Sequence, residues 1–231
     1  MDNLANGNAL FETILRKAIL KQDIYDTTKE SFTMFKNAIV EVIDGFRQKL
    51  PDDEKRIAFE YHDRGEFEFE LKFAGDILIF MMHTNIFEFP RNHEIMRTPY
   101  IKDDFERSYC GVINIYNFLA DSFKYNREND YGYMIGRVFI NKERHYLVEG
   151  KKELNMLYNS FENRVLSETD AKQIVESAIL YTSNFDLLTP PYDEVKQVTV
   201  YEMQYNIDNM RLKTGKRLGF RFQADEKNFM V

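Results

Sequence analysis

Tryptophan is absent from this chain and cysteine occurs once, at Cys110. A lone thiol cannot close an intramolecular disulfide, so no disulfide framework holds the fold, and a reducing compartment fits. The longest apolar run, Ile77 to Met82, falls far short of the ~20 residues that span a bilayer. An excess of positive charge is also missing. The net charge is -7, which argues against general nucleic-acid binding, because neutralising phosphates takes Lys and Arg on one face. The basic group Lys213, Lys216, Arg217 and Arg221 reads as a solvated turn. The opening MDNLANGNALFE has no early positive charge before its apolar residues and is not read as a signal peptide. The expectation is a cytoplasmic protein with no nucleic-acid and no membrane partner.

Signature motifs are lacking too. No P-loop, GxGxxG, GxSxG or HExxH occurs, and neither does a calcium-loop pattern or a close His-and-Cys spacing. No catalytic residue, metal site or cofactor is therefore assigned.

What the chain does have is aromatic residues, with 20 Phe and 14 Tyr among 231 residues. These rings supply large buried areas, so the core is expected to be aromatic. The pattern reads as one α+β domain, with helices over 8–50, strands over 56–149, helices over 151–186 and a final hairpin over 195–223. Segregated blocks imply a mostly antiparallel, curved sheet with N-terminal helices and a C-terminal helical pair packed on it. Leu10, Ile14 and Ala18, with Leu15 and Ile19, form one helical stripe. Phe32, Phe35, Ile39, Val42, Ile43, Phe46 and Leu50 form another, with Thr27 and Glu30 expected to cap its start. Pro51 ends it. The strands are expected near 56–62, 66–74, 77–89, 107–118, 131–141 and 145–149. The connection between Pro90 and Glu106 is long for a hairpin loop and marks a functional or covering segment.

The first strand pair alternates in GEFEFELKF, whereas DILIFMMH hardly alternates. A three-residue loop Asp63-Arg64-Gly65 sets Glu60 opposite Glu68. A two-residue turn Gly75-Asp76 then sets Glu68 opposite His83 and Glu70 opposite Met81. Glu60, Glu68 and His83 would thus share one sheet face beside the apolar Ile79 and Met81. Facing carboxylates raise a pKa, and an imidazole beside them shares a proton. The competing reading is a solvated face on which Arg56, Lys72 and the acids balance one another. Arg91 and His93, with Glu94 and Arg97, form a second cluster able to hold an anion by charge-assisted hydrogen bonds. The candidate ligand-binding residues are therefore Glu60, Glu68, Met81, His83, Arg91 and His93.

Two functions fit. The first is a non-catalytic interaction or scaffold protein that binds a protein partner or itself through aromatic sheet surface. The second is a small-molecule-binding protein, or an enzyme, with a groove on that face.

Overall fold

A computed structural model describes residues 2–54, 56–128, 130–150, 161–201 and 203–204, with only the helical backbone for 2–7. The first element is a single helix, α1 (Asp2–Lys49), 48 residues long and so about 72 Å from end to end. The break expected at Thr27 is not there. The stretch LKQDIYDTTKE contains neither Gly nor Pro, so nothing in it stops a helix. Hydroxyls beside Thr27 bond back inside the continuous helix, Thr28 to the Ile24 carbonyl at 2.7 Å and Ser31 to that of Thr27 at 2.8 Å.

Seven antiparallel strands follow in one sheet, giving an α+β fold. They are β1 (Phe59–Asp63), β2 (Glu68–Phe73), β3 (Asp76–Met82), β4 (Phe87–Glu88), β5 (Tyr109–Leu119), β6 (Tyr133–Ile140) and β7 (Tyr146–Gly150). Their order is β1-β2-β3-β5-β6-β7, and β4 pairs with the start of β5. Between β4 and β5 the chain makes a 3-10 turn (Glu94–Arg97), the short helix α2 (Pro99–Asp103) and a second 3-10 turn (Phe105–Ser108). A further short helix, α3 (Ala120–Lys124), separates β5 from β6. Among the described residues no helix is long and apolar enough to cross a membrane.

One face of the sheet carries α1 and α4 (Glu168–Ser183), which also pack on each other. Alternation along the strands sends Phe69, Leu71, Leu78, Phe80, Ile113, Ile115 and Val138 to this side, where they meet Phe32, Phe35, Ile39 and Ile43 of α1 and Ile174 and Val175 of α4. Phe69 and Phe80 stack with centroids 4.8 Å apart, and Phe32 closes on Phe69 at the same distance. Each such side chain contributes roughly 1.5–3 kcal/mol by leaving water. Gly111 lets α1 come close: a Cβ there would lie 2.1 Å from the Thr28 hydroxyl. α4 begins at a capping box in which Ser167 and Asp170 exchange hydrogen bonds, satisfying amides the helix cannot pair itself.

Both expected hairpin turns have the expected length but sit elsewhere. The first loop is Gly65-Glu66-Phe67, because Asp63 and Arg64 remain in the ladder, with the Arg64 amide donating to the Glu68 carbonyl at 3.1 Å. Lys36 of α1 grips Asp63 at 2.8 Å and donates to the Gly65 carbonyl at 2.8 Å, which fixes that position. The second turn is Ala74-Gly75, with Asp76 in β3 opposite Phe73; Ala74 takes a φ of 49° to make it. Asp76 is kept in the strand by the Asn117 amide at 3.3 Å. Moving a turn by one residue shifts the register by two, so the faces stay as expected while the partners change. Glu60 faces Lys72 and not Glu68; Glu68 faces Met81 and not His83; Glu70 faces Ile79.

Two other expectations change. Residues 195–204 carry no strand where described; α5 (Tyr192–Val195) ends there, and the following residues are exposed. A β-branched run becomes a strand only where a sheet offers packing, and these residues lie against none. The second half of the expected hairpin is outside the described residues. So is most of the helix expected to precede α4, since 151–160 are not described; Phe161–Asn163 form a turn and Val165 bridges to His145.

Candidate functional site

The sheet face away from α1 and α4 has three parts. Over β1 and β2 it is laced with ion pairs. Lys72 reaches Glu60 at 3.1 Å, Arg64 reaches Glu70 at 2.7 Å, and His62 lies 3.0 Å from Glu70. The Glu70 carboxylate is buried beneath these partners, so the acidic row is a balanced surface. Arg56 turns instead to Glu54.

Over the start of β5 and the end of β6, the segment between β4 and β5 covers the sheet. Phe89, Ile95, Met96 and Ile101 pack there with Cys110, Val112, Phe139 and Phe161. Tyr100 anchors this cover. Its hydroxyl donates to Glu143 at 2.7 Å and accepts from Asn141 at 2.9 Å, and its ring stacks on His145 at 4.6 Å with the Arg107 guanidinium 4.4 Å from its centroid. His145 in turn donates from Nδ1 to the Phe161 carbonyl at 2.8 Å.

Between these parts lies a cavity of about 520 Å³. Its floor is β5 and β6, through Cys110, Val112, Asn114, Arg137 and Phe139. Its walls are His83, Phe87 and Glu88 on one side, Phe89, Pro90 and His93 on another, and Met134 and Glu149 on the far side. The strand register explains the grouping. Glu149, Arg137, Asn114, Met81 and Glu68 follow one another across β7, β6, β5, β3 and β2 in a single row. His83 is two residues past Met81, where its amide donates to the Val112 carbonyl at 2.8 Å.

The two histidines are held alike. His83 Nδ1 accepts from the Asn85 amide at 3.0 Å, and His93 Nδ1 accepts from the Ile95 amide at 3.3 Å as it caps a 3-10 turn. In each neutral ring the proton therefore sits on Nε2. The Nδ1 edge faces its own loop, which leaves Nε2–H as the donor of each ring. Phe87 meets His83 edge-on at 4.8 Å, and Phe89 lies against His93 at 4.8 Å, so both rings are fixed. Arg137 pairs with Glu149 and lies over Phe139 at 5.0 Å. Glu88 pairs with Arg91 at 3.2 Å.

Asn114 stands apart in this set. It is 8 % exposed, and it places a polar side chain in the cavity floor beside Val112. Cys110 lies in the same floor, beyond Val112 along β5. Burial pushes the Cys110 thiol well above its ordinary range, so it keeps its proton and is a poor nucleophile. Among the described residues no group of three or more His, Cys, Asp or Glu is placed to hold a metal.

Of the residues singled out in the sequence, His83 and His93 meet at this cavity. Arg91 stands at its rim through Glu88. Met81 and Glu68 continue the row from Asn114 away from the cavity, and Glu60 lies on β1, opposite Lys72 and paired with it. Arg137 is legible in the sequence with Tyr125, Tyr131, Tyr133 and Arg127 as a group able to stack on a ring-bearing ligand, and of these it alone lines the cavity. Asn114 and Glu149 were not singled out; their signal is a polar residue in an otherwise apolar strand, as in GVINIYNF and YLVEG. Comparison of the chain with known protein families, with curated proteins and with solved structures finds no match.

Proposed function

We propose that the cavity beneath the β4–β5 segment binds a small molecule with a flat apolar body and a hydrogen-bond-accepting head, such as an aromatic carboxylate or carbonyl compound. Asn114 is the observation that carries this reading. Its amide stands in the floor of a mostly apolar cavity, where a ligand group that reaches it forms a hydrogen bond shielded from bulk water. The Nε2–H groups of His83 and His93 and the Arg137 guanidinium add donors, while the two acids of the lining, Glu88 and Glu149, are paired with Arg91 and Arg137. Phe87, Phe89 and Phe139 supply flat apolar surface for the body. The volume falls in the range of small-molecule sites, which are mostly apolar with a few placed polar groups. The reading is of binding, and Cys110, whose thiol burial pushes well above its ordinary range, is given no role in it.

A thermal-shift screen tests it, using aryl carboxylates, aryl ketones and amides, and the parent hydrocarbons as controls. Acceptor-bearing compounds should raise the wild-type transition and leave Asn114→Leu unmoved, because leucine fills the floor and removes the amide. A screen without stabilising compounds, or equal shifts in both proteins, refutes the reading.

A further inference from the structure

Beside the cavity the sheet face stays apolar without being packed. Met134 stands opposite Tyr116, Tyr116 opposite Ile79, and Met81 is next to them, opposite Asn114. All four are partly exposed, Met134 at 38 %, and none belongs to either packed cluster. This floor has definite ends. At one end it meets the cavity, whose lining already includes Met134 and Asn114. In the row beyond Tyr116, Ile77 is buried and the Phe118 ring meets Phe123 of α3 edge-on at 5.4 Å. At β2 the floor stops against the ion pairs of Glu70 and Lys72. From β6 to β3 it spans two strand spacings, about 10 Å. A bulge in β6 builds the junction with the cavity. Ile115 faces Gly136 but Tyr116 faces Met134, so Ile135 is an extra residue. Ile135 keeps its place in the core beneath the helices. Met134, which regular alternation would send to that same side, faces the cavity instead.

Resting on the cavity as a binding site, we infer that its ligand carries an unbranched alkyl chain, which leaves the cavity past Met134 and lies across Tyr116, Ile79 and Met81. The ligand class is then an alkyl-substituted aromatic acid or carbonyl compound, and not the bare ring. Three observations select this occupant. The first is size. A stable protein interface takes about 20–30 residues a side, and four side chains bounded by ion pairs, a cover and α3 are too few for one. The second is chemistry. Two thioethers, an isoleucine and a tyrosine ring make a floor that suits hydrocarbon, and methionine adapts its shape to what lies on it. The third is direction. The donors Asn114, His83 and His93 all line the cavity, so the accepting head belongs inside and the chain points out along the floor. The bulge aims Met134 at the place where the two meet.

Isothermal titration of the full chain with benzoate and its para-ethyl, -butyl, -hexyl and -decyl homologues tests the inference. A fully buried methylene is worth about fourfold in affinity, and one laid on an open floor should add about twofold. The gain should run through the hexyl compound and level off by the decyl compound, which overruns the floor. The paired change Ile79→Thr with Met81→Gln keeps the side-chain shapes and removes hydrocarbon. In that protein the ratio of hexyl to benzoate affinity should fall at least about fivefold. Benzoate that binds with no gain along the series overturns the inference and leaves the cavity reading standing. A gain that continues undiminished to decyl is nonspecific partition and overturns it as well, as does a ratio equal to wild type in the paired variant. Absence of binding by every member overturns both readings together.

Discussion

Ile79 and Phe80 are neighbours on β3 and meet opposite surroundings. Phe80 is fully buried, stacked on Phe69 beneath α1. Ile79 looks the other way, between Glu70 and Tyr116, and stays partly exposed. What holds for this pair holds for the sheet. Its helix-covered face is continuous hydrocarbon, where every position serves packing. Its other face is divided between ion pairs, a folded cover and a cavity with an amide in its floor. Selection for stability alone would close that cavity, and the difference between the faces is the reason to look for function on the second.

The comparison can be broken most sharply by truncation. Phe80→Ala should cost about 3–5 kcal/mol, whereas Ile79→Ala should cost about 1 kcal/mol, since part of its surface is already wet. Urea unfolding of both variants checks this, and equal losses would mean that the second face is packed like the first. Gly111→Ala should cost about 1–3 kcal/mol by driving a methyl into Thr28. Thr28→Ala in the same chain should recover part of the loss, because it removes the closest atom. The same two changes should leave the cavity across the sheet able to bind.

The turns show how much of this was legible. Alternation fixed which residues share a face, because a one-residue slip would have put Glu68, Glu70 and Lys72 against α1. Nothing in the local sequence fixed where each turn sits. Lys36 and Asn117, far along the chain, hold Asp63 and Asp76 in their strands, so both registers moved by even steps and separated Glu60 and Glu68 from His83. The expected helix break failed for a related reason: Thr27 and Glu30 can begin a helix, but only a breaker before them would have made one begin there. His83 and His93 were legible singly. Their meeting over Val112 depends on β5 running between them and on the fold of the intervening cover, which no short-range pattern carries. Asn114 was visible only as an interruption of an apolar strand.

Smaller effects sharpen the same contrast. Burial by itself would raise the Asp170 carboxyl, but hydrogen bonds from the Ser167 hydroxyl and amide and from the Tyr146 hydroxyl outweigh it and hold the group below the usual carboxylate range. A group whose folded pKa is lowered adds stability above its unfolded pKa of about 3.9, and loses it as pH falls through the folded value. Asp170→Asn should therefore cost about 1 kcal/mol at neutral pH, and the gap from wild type should shrink below about pH 4. Chemical denaturation at several pH values measures it. On the other face, Asn114→Leu should change stability by less than about 1 kcal/mol, because Asn114 lines the cavity and stands outside the helix-covered core.

The most direct measurement is a methyl NMR titration of wild type with the best aromatic acid from the thermal screen. The resonances of Val112 and Met134, at the cavity, should shift in a saturable way while those of Leu78 and Met82, beneath the helices, stay still. Shifts confined to the helix-covered core, or none at either face, would contradict the assignment of the cavity as a binding site.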